Sequence, residues 1–425
     1  MAVTATETHR AIDGIWRIES ARIIASLTRI VRDIGLAEEL AQDALVAALQ
    51  QWPDAGVPAN PAAWLMATAK HRAIDLLRRR TLIERKHEEL GREREARELT
   101  VPDFDAAIDD DIGDDLLRLI FISCHPVLST QARVALTLRL LGGLTTEEIA
   151  RAFLAPEPTI AQRIVRAKRT LAEKRVPFEL PRGADRAARL SSVLEVIYLI
   201  FNEGYSATAG DDLVRPALCE DALRLVRILA ELVPQEAEVH GLVSLMEIQA
   251  SRLRARVSPS GDPILLLDQN RARWDWLLIQ RGLTALERAH KVSDLSANGP
   301  YVLQAEIAAC HARAHTADET DWARIAALYD ELAQSHPSPV VELNRAVAHA
   351  MAFGPAAGLQ LIDALASDPS LKTYHLLPAA RGDFLQKLGR FDEARAEFER
   401  AAILTQNKRE RELMKQRAKG QGAEG

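Results

Sequence analysis

Cysteine is scarce in this 425-residue chain, with Cys124, Cys219 and Cys310 as its whole complement. Three widely spaced thiols make neither a disulfide framework nor a zinc knuckle. Cys124-His125 invites a metal reading, but the surrounding LIFISCHPVL is apolar and brings no second cysteine pair, so a buried core position is expected. Long apolar runs are missing too. No stretch reaches the roughly 18 to 20 residues needed to span a bilayer, and MAVTATETHRAIDGIWRIES lacks a secretory apolar region, which predicts a cytoplasmic protein. Alternating β-branched runs are few, so the expected class is all-α. No nucleophile and base pair or metal set is recognisable. We therefore expect no cofactor, no metal and no catalysis.

What is present is helix-forming and unevenly charged. A chain of this length exceeds one ordinary domain, and 48% hydrophobic content supports large cores rather than disorder. The net charge of −6 at first argues against a nucleic-acid partner. It is not spread evenly. Residues 1 to 100 are neutral overall, 101 to 115 carry 7 aspartates and no base, 116 to 180 carry 10 basic and 5 acidic residues, and 181 to 425 carry 29 basic and 33 acidic. Positive charge is therefore concentrated in one short segment, as phosphate binding requires.

Within that segment, LTTEEIARAFLAPEPTIAQRIVRAKRTL (144 to 171) has the pattern of two short helices about a tight turn. At about 100° per residue, Ile164, Ala167 and Leu171 fall within roughly 40° of Ile160, while Gln162, Arg166 and Arg169 lie opposite. Such a helix docks by one stripe and offers the other to a DNA major groove. Arginine and glutamine carry the forked donors and acceptors that match guanine and adenine edges. Arg163, Lys168 and Arg175 are placed to hold phosphates. The alternative is an ordinary amphipathic surface helix.

A second basic helix is expected from Asn60-Pro61 onward, PAAWLMATAKHRAIDLLRRR, with proline in its first turn and no internal breaker. Trp64, Thr68, His71, Arg72, Asp75, Arg78 and Arg79 share a sector of about 120°, opposite Leu65, Met66, Ala69, Ala73, Leu76 and Leu77. A tryptophan grouped with arginines suggests a surface that stacks on bases and neutralises phosphates. The competing reading packs Trp64 against a neighbouring helix and leaves the arginines solvated.

The two helices, in this order and separation, resemble regions 2 and 4 of bacterial sigma factors of the extracytoplasmic-function group. The chain is similar to the long subtype with a tetratricopeptide-like extension. Region 2 is matched by LAEELAQDALVAALQQW (36 to 52), NPAAWL (60 to 65) and AIDLLRR (73 to 79), and region 4 by the helix-turn-helix. Two positions depart from the family's habit: His71 stands where asparagine is usual, and the turn is Ala155-Pro156-Glu157-Pro158 where glycine or serine is typical.

The resemblance implies core RNA polymerase and promoter DNA as partners. Glu39, Gln42, Asp43 and Val46, one helix face by spacing, would meet a coiled coil of the polymerase. Asn60, Trp64, Lys70, His71, Arg72, Asp75, Arg78 and Arg79 would take the −10 element as strand-separated DNA, and Thr159, Gln162, Arg163, Arg166, Lys168 and Arg169 the −35 element as duplex. Such a protein catalyses nothing itself.

The resemblance, with the acidic stretch as a divider, implies domain limits of 1–99 for region 2, 100–115 for an acidic linker, 116–180 for region 4 and 181–425 for a helical extension. TLIERKHEELGREREAREL (81 to 99) is expected to prolong the region 2 helices, and VPDFDAAIDDDIGDD (101 to 115) to be extended. Near the end, Ala394, Phe398 and Ala401 in GRFDEARAEFERA fit a tetratricopeptide unit, which places repeat-like structure from about 320. Two glycine-bearing interruptions, 198 to 212 and 258 to 276, carry Glu203, Tyr205, Asp268, Asn270, Arg273 and Trp274. These are candidates either for a pocket that takes a peptide, protein or small-molecule signal, or for loop staples. The alternative to a sigma factor is a helix-turn-helix regulator whose repeat domain senses a ligand. A third reading is a repeat scaffold or enzyme with a vestigial DNA-binding end.

Overall fold

The computed structural model describes residues 5–90, 112–293 and 298–420. Most of the acidic segment and the end of the charged 81 to 99 run lie outside them. Eighteen α-helices account for nearly all regular structure among the described residues, and the chain divides into two compact units, Met1–Val196 and Ile197–Gly425.

The first unit begins with α1 (Ala5–Val31), α2 (Ile34–Ala55) and α3 (Pro61–Leu90). Asp33 caps α2 by accepting from the Leu36 amide at 2.8 Å. The apolar residues of α2 recur at helical spacing, Ala37, Leu40, Ala41, Ala44, Ala47 and Ala48, and all are buried. Their small side chains let α1 and α3 approach closely. Leu65, Ala69 and Ala73 complete that core from α3. Gly56 ends α2 at φ +82°, a conformation costly for any residue with a Cβ.

Next come α4 (Ile112–Ser123), α5 (Thr130–Leu140), α6 (Thr146–Ala152) and α7 (Glu157–Glu173). The extended segment expected up to 115 is instead helical from Ile112 onward. The reason is local: Asp114 and Asp115 occupy the first turn, where the helix dipole favours anions, and Asp115 also receives Arg29 at 2.8 Å and Arg118 at 2.6 Å. Cys124 is buried beside the Thr137 hydroxyl at 3.4 Å, and burial pushes its thiol up to about 11. An inert core cysteine results. α8 (Gly183–Tyr205) crosses the division between units, and its first half packs on α4 and α5 through Ser192, which donates to the Cys124 carbonyl at 2.8 Å.

The second unit continues with α9 (Pro216–Leu232), α10 (Ala237–Ser251), α11 (Trp276–Val292), α12 (Pro300–Arg313), α13 (Trp322–Ser335), α14 (Pro339–Phe353), α15 (Pro355–Leu365), α16 (Leu376–Lys387), α17 (Phe391–Leu404) and α18 (Lys408–Ala418). Consecutive helices pack as hairpins. Ala394, Phe398 and Ala401 are buried in one core cluster with Leu343, Ile362 and Phe384. A Cβ on Gly382 would stand 2.9 Å from the Phe398 ring, so the phenylalanine knob depends on a bare backbone opposite it. Two short strands, β1 (Ala209–Gly210) and β2 (Gln406–Asn407), pair in parallel and join the loop after α8 to the turn before α18. Asn407 is fully buried there. Its Nδ2 donates to the carbonyls of Ala207 (3.2 Å) and Asp212 (3.0 Å), and its Oδ1 accepts from the amides of Arg409 and Glu410.

Candidate nucleic-acid and polymerase interface

The helix-turn-helix is assembled from ordinary local chemistry. Thr145 and Glu148 form a reciprocal capping box at the start of α6, with bonds of 3.1 and 2.8 Å. The turn closes at Leu154, which takes φ +48°. Glycine would adopt that conformation without strain, so the absence of glycine in the turn is borne by this exposed leucine, one residue before Ala155. Pro158 lies in the first turn of α7, where its missing N–H is no loss.

α7 buries Ile160, Ile164, Ala167 and Leu171, the stripe expected from periodicity. Thr159, Gln162, Arg166 and Arg169 face solvent, and Arg163 is half-buried. Gln162, Arg163 and Arg166 line a recess of about 350 Å³ shared with Ser129 and Ala132 at the start of α5. Lys168 departs from this face. Its ammonium pairs with Glu38 of α2 rather than projecting outward.

On α3, His71, Asp75, Arg78 and Arg79 are exposed along one side. Asn60 caps the helix by accepting from the Ala63 amide at 3.0 Å, so its side chain is already engaged. The Trp64 ring meets the buried Trp52 edge-on at 5.3 Å and is half-buried, which is the packed alternative for one side of that ring. Lys70 is half-buried and feels the charges of Arg29 and Asp115. Burial and the neighbouring Arg29 lower its pKa. Arg72 lies 3.3 Å from Asp43.

The polymerase-facing candidates lie on α2, with Glu39, Asp43 and Val46 exposed. Gln42 is half-buried and donates to Glu38 at 2.8 Å. Beside these elements, a cleft of about 1140 Å³ is lined by Arg29, Arg32, Arg118, Lys168, Arg169 and Arg175 with Asp33 and Glu179. Four of these cations are already paired with carboxylates, Arg29 and Arg118 with Asp115, Lys168 with Glu38 and Arg169 with Glu173.

Models of two known families match this part of the chain in order, Sigma-70 region 2 on residues 17–83 and Sigma-70 region 4 on residues 118–171. The chain is 32% identical over 151 residues to the ECF RNA polymerase sigma factor SigK of Mycobacterium sp. (strain KMS), an alignment covering 34% of this chain and 72% of that relative. It belongs to the extracytoplasmic-function sigma factors. A SigK of Mycobacterium sp. (strain MCS) matches over the same share. This sigma factor is also 42% identical over 386 residues to an uncharacterized protein of Rhizobium meliloti, covering 90% of the chain and 89% of the relative. A family of unknown function, DUF6596, matches residues 189–290, so the sigma factor carries an added helical domain as the long subtype does. Sigma factors are transcription initiation factors rather than enzymes. Among the described residues, no helix is long and apolar enough to cross a membrane.

The interruption expected at 198 to 212 is helical up to Tyr205, because α8 runs through it, so Glu203 and Tyr205 stand on the last turn of a helix while Asp268, Asn270, Arg273 and Trp274 lie in short turns and loop. Glu203 pairs with Arg215 and accepts from the Thr208 hydroxyl at 2.9 Å. The Tyr205 ring carries the Arg256 guanidinium 3.8 Å above its centre. Trp274 is buried between Arg252 and Arg271, at 5.5 and 4.9 Å. Asn270 caps a short turn, and Asp268 and Arg273 are exposed. Arg252 and Arg256 thus join Tyr205 to Trp274. Sequence reasoning passed over both arginines, although their alternation in SRLRARV just before the second interruption was a visible signal.

Proposed function

We propose that this sigma factor binds core RNA polymerase through the Glu39–Gln42–Asp43–Val46 face of α2 and directs it to a promoter. In this reading His71, Arg72, Asp75, Arg78 and Arg79 of α3 take the strand-separated −10 element, with the free side of Trp64 as a stacking platform. Extracting bases from a duplex costs a few kcal/mol, which stacking and cationic contacts offset. Thr159, Gln162, Arg163, Arg166 and Arg169 of α7 read the −35 duplex. The observation that carries the reading is the ordered pair of sigma regions on one chain, each ending in an exposed basic helix face. A helix-turn-helix repressor has no use for the first of them.

The extension of residues 197–425 is proposed as an internal regulator of the promoter-reading part. Its support is the helical-hairpin architecture, which commonly binds peptides or proteins.

In vitro transcription with purified core polymerase, the full-length protein and fragmented DNA of its own genome tests this. Discrete start sites that vanish with Asp43→Arg are expected. Duplex binding with a silent polymerase would move the protein to the ligand-sensing regulator class. Equal transcription by full-length protein and by a chain cut near residue 180 would remove the regulatory role.

A further inference from the structure

Within the second unit, α10 packs against both α9 and α11 and forms the floor of a groove between them, a recess of about 860 Å³. Small-molecule sites commonly enclose about 300–1,000 Å³. The α9 wall supplies Arg227, Ala230 and Glu231, with Pro234 just beyond the helix end. Val243 and Glu247 lie on the floor, and Arg281, Ala285, Arg288 and Lys291 form the α11 wall. Nearly all of the groove falls inside residues 189–290, the span matched by the family of unknown function.

Its charges are arranged for an anion. Arg281, Arg288 and Lys291 share one face of α11 and form a row about 15 Å long, at about 1.5 Å of rise per residue. All three are exposed, and none has a hydrogen bond or ion pair among the described residues. Arg227, on the opposite wall, is held in place. Its Nε donates at 2.7 Å to Glu247, whose side chain is 2% exposed, and its terminal nitrogens carry no bond among the described residues. A buried carboxylate is costly even when paired, and an apolar residue would serve the core at least as well. What Glu247 does is orient the Arg227 guanidinium at the groove, with two nitrogens left for an acceptor. Glu247 is thereby neutralised, and Glu231 is the one other acid in the lining.

The remaining lining sets the other half of the ligand. Ala230, Pro234, Val243, Ala285 and Val292 are small or aliphatic, and no phenylalanine, tyrosine or tryptophan is among the described residues that line the groove. A nucleobase would find no ring to stack on. We propose that the groove binds a small phosphate monoester with an aliphatic body, its phosphate taken by Arg227 and the α11 row and its chain laid along Val243 and the other apolar side chains. A phosphate monoester brings three acceptor oxygens and close to two negative charges at neutral pH, which matches several guanidiniums better than a single carboxylate does. The site goes beyond the promoter reading and is independent of it, because it lies wholly within the second unit and needs neither polymerase nor DNA.

Isothermal titration of the full-length protein with hexyl phosphate tests the site. Saturable binding at a single site per chain is expected. Inorganic phosphate, which lacks the chain, and hexanoate, which lacks the second charge, should each bind roughly tenfold more weakly. Arg281→Gln combined with Arg288→Gln alters two exposed side chains, so circular dichroism should be unchanged while hexyl phosphate binds roughly tenfold or more weakly. Ala230→Phe keeps every cation and fills the recess, and should block binding. Arg254→Gln, exposed and outside the groove, should have no effect. Absence of saturable binding, or equal binding by the double variant, would overturn the site. Equal binding of hexyltrimethylammonium would overturn its anion chemistry, and equal binding of inorganic phosphate its aliphatic half. Sedimentation with phosphatidylcholine vesicles carrying phosphatidate should leave the protein in solution. Retention that the double variant loses would assign the phosphate to a lipid surface and overturn the small ligand.

Discussion

Arg72 of α3 lies 3.3 Å from Asp43 of α2, so the helix proposed to meet single-stranded DNA and the face proposed to meet polymerase share an ion pair. Both side chains are substantially exposed, at 40% and 60%. Exposed pairs of this kind contribute at most about 1 kcal/mol. Asp43→Ala is therefore expected to leave thermal unfolding nearly unchanged. Its affinity for core polymerase should fall roughly tenfold, in the range of an interface anchor. A large loss of stability with unchanged polymerase affinity would make Asp43 structural only.

The exposed face of α7 predicts a separation of roles. Arg166→Ala should cost about 1–3 kcal/mol on a specific duplex and relax preference at one base position. Arg169→Ala should weaken binding on all sequences alike and reduce the slope of log affinity against log salt by about one. Fluorescence anisotropy over a range of salt, on matched and scrambled duplexes, distinguishes the two. Equal losses on both duplexes for Arg166→Ala would assign it to phosphate.

The second unit should be acid-sensitive through His311. Burial, with Arg252 and Arg271 beside it, pulls this imidazole down to about 4. The unfolded chain, with an ordinary value near 6.5, binds the proton more readily, so stability rises with pH across that interval. The contribution is full above pH 6.5 and is lost as pH falls toward 4, on the order of 3 kcal/mol. Urea unfolding at pH 7 and pH 5 measures it. His311→Gln should flatten the difference, and an unaltered pH dependence in that variant would exclude His311 as its source.

Asn407 predicts a local weak point. Asn407→Ala strands the Ala207 and Asp212 carbonyls, which Asn407 Nδ2 bonds, and removes the acceptor that caps α18. An unsatisfied buried group costs about 1–3 kcal/mol. Hydrogen exchange should accelerate around 207–212 and 405–410 while α13 and α14 keep their protection. Uniform acceleration across the unit would mean that the clasp governs its global stability.

The recognition helix was legible because burial of Ile160, Ile164, Ala167 and Leu171 depends only on helical period. The repeat residues Ala394, Phe398 and Ala401 were legible for the same reason. Period also placed Trp64 on the polar side of α3, but it cannot announce that Trp52 of the preceding helix takes one edge of the ring. Lys168 illustrates the limit more sharply. Its phosphate-binding position follows from its place on α7, whereas its actual partner, Glu38, is 130 positions away and known only from tertiary structure. Composition alone places Asp114 and Asp115 in an extended linker, and helix-dipole and arginine contacts outweigh that composition.

The pairing of β1 with β2 changes the mechanical character of the extension. A stack of hairpins open at both ends stretches like a spring and frays one unit at a time from either terminus. Here the loop after α8 is bonded to the turn before α18, about 200 residues later, and the row of hairpins becomes a fastened bracelet. A pull on any one hairpin is carried around the whole circuit. Loss of the buried asparagine would unfasten that clasp and leave each hairpin held by its neighbours alone.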